Sequence, residues 1–159
     1  RLFETELTRR GIPFMVYGGL RFFDRAEIKN AMAYMRLAEN PSDDSAFLRV
    51  VNVPARGIGA KSIENLVDFA TTNGISLFES MQYIRGAAAN KFAAFKEIID
   101  TLRVAKDEMP LPAFVDFTVE KSGLKNMYEM DPNGSERIEN LQELTSAAQG
   151  FISRIRFAR

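Results

Sequence analysis

Between two apolar helical patterns lies PARGIGAKS, Pro54 to Ser62, which sets two glycines one residue apart, with Arg56 ahead of them and Lys61 and Ser62 behind. This grouping of residue types could hold an anion. Gly57 admits a backbone with positive φ, which other side chains resist. Ile58 is placed to point inward and anchor the turn. Gly59 has no side chain, so a phosphate could come close to the main chain. The amides near Gly59, Ala60 and Lys61 would be the orphan donors of a helix start, at the positive end of its dipole. Ser62 adds a hydroxyl, and Arg56 and Lys61 add charge. Contacts of this kind hold a nucleic-acid backbone without reading its sequence. A glycine-rich helix C-cap with solvated cations accounts for the same residues. A nucleotide-binding P-loop does not, because the Gly-Lys-Ser/Thr ending is absent and no strand precedes the turn.

Two further groupings are weaker. GAAANKFAAF, 86–95, leads small residues into a helix with Asn90 and Lys91 near its start, and an alanine-rich helix opening explains it as well as a second phosphate contact does. GGLRFFDRAEIK, 18–29, joins two glycines to Phe22 and Phe23 and to the cations Arg21, Arg25 and Lys29. One phenylalanine could be exposed to stack on a base, or both could be buried with the arginines pairing Asp24 and Glu27. Glu39, Asp43 and Asp44 read better as acidic residues flanking a helix start than as metal ligands. With no histidine and no cysteine in the chain, histidine catalysis, thiolate chemistry and the commonest zinc sites are excluded. Neither a catalytic residue nor a metal site is expected.

The elements that must position these residues are mainly helical. Apolar residues make up 46% of the 159, enough for a packed core. Lys+Arg and Asp+Glu both number 21, so any nucleic-acid contact must come from a local patch. Residues 2–10 read as an amphipathic helix and FMVY, 14–17, as a strand closed by Gly18-Gly19. Helical patterns follow over 26–40, with Asp24 as N-cap, and over 42–53, ended by Pro54. After the turn they resume over 60–73, stopped by Gly74, and then from a Ser76/Glu79 capping box. The longest run is 89–109. Pro110 and Pro112 open the next helix, DPNGS at 131–135 is a loop, and a last helix starts near Glu136. The expected fold is therefore mainly α: a multi-helix domain containing a helix-hairpin-helix-like GIG turn, with a short N-terminal α/β lead-in. No apolar run reaches the ~20 residues of a membrane span, and no signal peptide is read at the N-terminus. The absence of cysteine fits a reducing compartment, and the location expected is cytoplasmic. Lacking an initiating Met, the chain reads as a piece of a longer protein.

YGGLRFFDRAEIKNAMAYMRLAENPSDD, FLRVVNVPARGIGAKSIENL, SGLKNMYE and SERIENLQEL occur in an order and spacing that resemble the UvrD/Rep/PcrA group of superfamily 1 DNA helicases. The resemblance runs from about residue 1 to about residue 150. It implies that residues 1–19 are a fragment of the RecA-like domain 2A and that 20–153 form the helical 2B subdomain; 154–159 depart from the family pattern. It further implies a parent that hydrolyses ATP with Mg, moves 3′-to-5′ along single-stranded DNA and unwinds duplex. Its partners would be duplex/single-strand junction DNA, the helicase domains 1A, 1B and 2A, and DNA repair proteins, with no membrane. The GIG turn of the family touches duplex backbone, which maps DNA-phosphate binding onto Arg56, Gly57, Ile58, Gly59, Lys61 and Ser62. Arg21, Arg25, Asn90 and Lys91 are secondary candidates. Lacking the ATPase motifs, the fragment is expected to bind no cofactor and to be inactive alone. The competing expectation is a protein-interaction or autoinhibitory module with no direct DNA role.

Overall fold

Helix boundaries fall where the chain carries its caps and breakers. The computed structural model describes residues 20–158, so the helix expected over 2–10, the strand at 14–17 and the 1–19 lead-in lie outside the described residues. The described elements run α1 (Leu20–Asp24), α2 (Ala26–Glu39), α3 (Asp44–Val50), α4 (Ala60–Asn73), α5 (Leu77–Ser80) with a 3-10 turn at Met81–Tyr83, α6 (Ala88–Glu108), α7 (Leu111–Lys121), α8 (Leu124–Glu129) and α9 (Ser135–Ala158). There is no strand among the described residues, and the fold there is multi-helix and all-α.

The Asp43 carboxylate accepts the Ala46 N–H at 3.0 Å and starts α3. Ser76 Oγ accepts the Glu79 N–H at 3.1 Å and starts α5. Gly74, at φ 63°, closes α4 in the left-handed conformation that glycine adopts without strain. Asp24 departs from expectation: it ends α1 instead of capping α2, and the Arg25 carbonyl takes the Lys29 N–H at 2.9 Å. At the other end, α9 runs unbroken across the 153/154 boundary suggested by the sequence.

The chain divides into two units, 1–32 with 108–159, and 33–107. In the first, α7 packs on α8 and α9 and buries Phe114, Val115, Leu124, Tyr128, Leu141 and Leu144. Two buried hydrogen bonds tie the start of α2 to this group. Asn30 Nδ2 donates to Tyr128 Oη at 3.2 Å, and Asn140 Nδ2 donates to Glu27 Oε2 at 2.7 Å. Phe22 and Phe23 are both buried, edge to face with ring centroids 5.2 Å apart, which removes the base-stacking reading. An apolar helix stripe is about 100° wide, and adjacent residues are about 100° apart, so one face can take both.

Thr118 carries a consequence for stability. Its Oγ1 is fully buried without a hydrogen-bond partner, and an unmade buried hydrogen bond costs about 1–3 kcal/mol. Thr118→Val keeps the shape and deletes the hydroxyl. Thermal unfolding should show a gain of about 1 kcal/mol, and a loss of stability would mean that the hydroxyl is partnered.

The second unit holds the later part of α2 with α3, α4, α5 and most of α6. Its buried side chains include Tyr34, Phe47, Leu66, Phe92, Phe95 and Ile99. Phe95 of α6 meets Phe47 of α3 edge-on at 5.5 Å, and the Leu77 N–H donates to Asp44 Oδ1 at 3.0 Å, joining α5 to α3.

Candidate nucleic-acid interface

Between α3 and α4 the chain turns through residues 51–59, and one side chain organises that turn from below. Asn52 Oδ1 accepts the backbone N–H of Arg56 at 2.6 Å and that of Ile58 at 3.3 Å. Ile58 is 2% exposed and so anchors the turn to the core. Gly57 sits at φ 74°, a conformation that an L side chain resists.

Arg56 is where the sequence reading needs correction. It was expected to offer charge to an anion; instead its guanidinium is turned inward. Nη1 donates to the carbonyls of Val50 (3.1 Å), Val51 (3.2 Å) and Pro54 (3.2 Å). Nη2 donates to Tyr34 Oη at 2.6 Å, and the guanidinium carbon lies 5.1 Å from the Phe95 ring centroid. The α3 carbonyls left open by helix termination need donors, and a planar five-donor fork supplies several at once. Tyr34 completes the arrangement by donating to the Val53 carbonyl at 2.5 Å. Burial pushes its pKa up to about 12, against the opposing pull of Arg56, so the phenol keeps its proton.

The start of α4 is different in character. Gly59, its N-cap, has no side chain with which to cap. Helix geometry leaves the N–H groups of Ala60, Lys61 and Ser62 without intrahelical acceptors. Gly59, Ala60 and Lys61 are exposed and Ser62 is half-exposed. Gly59 has ordinary extended dihedrals, φ −79° and ψ 171°, and a Cβ built on it would meet nothing within 4 Å. No side chain caps the helix start, and the Cβ position of its N-cap is open. Lys61 is 79% exposed, and its ion pair with Glu64 is stretched to 4.0 Å. A pair so long and so solvated holds the ammonium weakly. A row of amides at the positive end of a 14-residue helix, with a solvated cation beside it, can receive an anion.

The secondary candidates separate. Lys91 does not belong to a site of its own: from the first turn of α6 its Nζ donates to the Gly57 carbonyl at 2.9 Å, so the fold brings it to the GIG turn across 34 positions of sequence. Its stem lies over Gly57, with Cε 3.5 Å from where a Cβ would stand. Asn90 is exposed in the same helical turn. Arg21 and Arg25 belong to the other unit. Arg25 pairs with Glu136 at 3.4 Å and Arg21 is exposed, while Glu27, proposed as a pairing carboxylate, is buried under Asn140. Sequence reasoning missed Asn52 and Tyr34. A polar residue four positions before Arg56 was a signal for the first; nothing local marked the second. Among the described residues no cluster of carboxylates could hold a metal ion, and no helix is long and apolar enough to cross a membrane.

Comparison with known proteins adds a family. The model for the UvrD-like helicase C-terminal domain matches residues 1–155. DNA helicase II of Haemophilus influenzae is 42% identical over 160 residues, covering 96% of this chain and 22% of that protein. DNA helicase II of Escherichia coli is 38% identical, covering 95% of this chain and 22% of its own length. The ATP-dependent DNA helicase PcrA of Bacillus subtilis is 34% identical, covering 95% and 21%. The chain thus spans about a fifth of the length of the curated relatives it matches.

Proposed function

We propose, since the chain belongs to the UvrD-like helicase C-terminal domain family, that it is the 2B subdomain of an ATP-dependent 3′-to-5′ DNA helicase and contacts duplex backbone without sequence preference. Residues 1–19 would then derive from the RecA-like domain 2A. The α3–turn–α4 segment acts as a helix-hairpin-helix: the N–H groups of Gly59, Ala60, Lys61 and Ser62 receive a phosphate, Lys61 supplies charge, and Ser62 adds a hydroxyl. Gly57 and Ile58 shape the turn, and Arg56 frames it from inside. In the whole protein, ATP and Mg would be bound by other domains, with 1A, 1B and 2A as intramolecular partners and repair proteins as external ones.

One observation carries this reading: no side chain caps the start of α4, and the Cβ position of its N-cap, Gly59, is open. An interaction module would be favoured by exposed apolar residues on α7 or α9; Phe114, Val115, Val119, Leu141 and Leu144 are buried, and Phe117 and Ile138 are half-buried. Fluorescence anisotropy of the chain with duplex and single-stranded oligonucleotides tests the proposal. Duplex should bind more tightly than single strand, weakly, and with an affinity that drops between 50 and 200 mM salt by roughly threefold for each phosphate contact. Salt-independent binding, or none to duplex at the lower salt, would count against it.

A further inference from the structure

We infer that Lys91 is the second phosphate-facing cation of the GIG turn, filling the part that Arg56 cannot play; this rests on the duplex-contact reading above. The two arginine and lysine candidates have exchanged places relative to the solvent. Arg56 is adjacent to the turn in sequence, but its guanidinium is engaged by three carbonyls and a phenol beneath it. Lys91 is remote in sequence, but its ammonium lies on the turn itself, exposed, 2.9 Å from the Gly57 carbonyl. An ammonium has three N–H donors. One is on Gly57, and the exposed head has others to give.

Distance makes the arrangement usable. Two residues of chain span at most about 7 Å, so an ammonium seated on Gly57 lies close to the amides that begin at Gly59. A single phosphate or two neighbouring ones on one strand can engage both. The Gly57 carbonyl also gains from the contact. A phosphate drawn to the turn would be repelled by an outward carbonyl oxygen, and the ammonium on that oxygen covers its negative end. The glycine suits this position: its φ of 74° is one that L side chains rarely adopt, and a Cβ there would stand 3.2 Å from Nζ, so the ammonium would have to shift by a few tenths of an ångström.

The test is a salt titration of junction binding by the whole protein that carries this chain, using a fluorescein-labelled duplex with a 3′ single-stranded tail. Lys91→Met retains the apolar stem across Gly57 and removes the charge; Lys91→Arg retains the charge; Lys61→Ala is measured beside them. Lys91→Met should lower the slope of log K against log salt by about 0.9 and weaken binding several-fold at 50 mM salt. Lys91→Arg should restore the slope. A latch with only a structural role would alter thermal stability and leave the slope where it was. If Lys61→Ala lowers the slope and Lys91→Met does not, the inference about Lys91 is wrong and the hairpin contact stands. Unchanged slopes for both variants would overturn the hairpin contact and the inference together.

Discussion

Arg56→Met is expected to destabilise the protein by about 3 kcal/mol while leaving the salt dependence of duplex binding unchanged. The size follows from what the guanidinium holds. It donates to the carbonyls of Val50, Val51 and Pro54 and to Tyr34 Oη, and it lies over the Phe95 ring. Hydrogen bonds from a charged donor contribute roughly 1.5–3 kcal/mol each, and shared partners keep the sum from being additive. Partial exposure lets water replace some of them, which sets the total near the value for one or two. For a chain of this size the midpoint of thermal unfolding should fall by roughly 6–12 °C. Arg56→Lys should recover little, because one ammonium cannot reproduce a planar fork reaching several acceptors. Measured well below that midpoint, the slope of log K against log salt should match the unsubstituted protein, since no phosphate contact is lost. A slope lower by about one with unaltered stability would return Arg56 to the DNA-facing role suggested by its sequence position.

The second large effect has opposite signs in two assays. Gly59→Asp should stabilise the fold and weaken duplex binding. Its backbone angles suit any residue, and its Cβ would point into open space. Aspartate is among the best N-caps, glycine a moderate one, so the carboxylate should contribute a few tenths of a kcal/mol by capping. Its charge at the positive end of α4 should add about 0.3–1 kcal/mol. The same carboxylate would occupy the amides that a phosphate needs and present a negative charge to it. Like charges about 4 Å apart repel by about 1 kcal/mol in water and more near a protein surface, so duplex affinity should fall by about tenfold or more. In the helicase proposed above, DNA-independent ATP hydrolysis should not change.

Where local chemistry decides, the sequence was readable. The limits of α4 follow from Gly59 and Gly74, the start of α5 from Ser76 and Glu79, and the start of α7 from Pro110 and Pro112. The turn at Gly57, Ile58 and Gly59 was visible for the same reason: its shape follows from the glycine backbone and from one apolar anchor within three residues. What could not be read depends on packing between distant positions. The direction of Arg56 is set by Tyr34, 22 residues earlier, and by Phe95 on another helix. Lys91 reaches the turn only because α6 starts beside Gly57. The two units meet along the chain inside α2, between residues 32 and 33, and at the end of α6, between 107 and 108; no breaker marks the first of these. Asp24 was assigned as a cap on residue type, and the tight bend at Arg25 overruled it.

The central claim is that the open amides at the start of α4 receive duplex phosphate, and Gly59→Asp tests it most directly. Duplex affinity and thermal unfolding would be measured on the same preparations, at 50 and 200 mM salt. The account predicts a rise in unfolding midpoint together with about tenfold weaker duplex binding at the lower salt. Duplex affinity equal to that of the unsubstituted protein, in a variant whose raised midpoint shows the cap has formed, would contradict it.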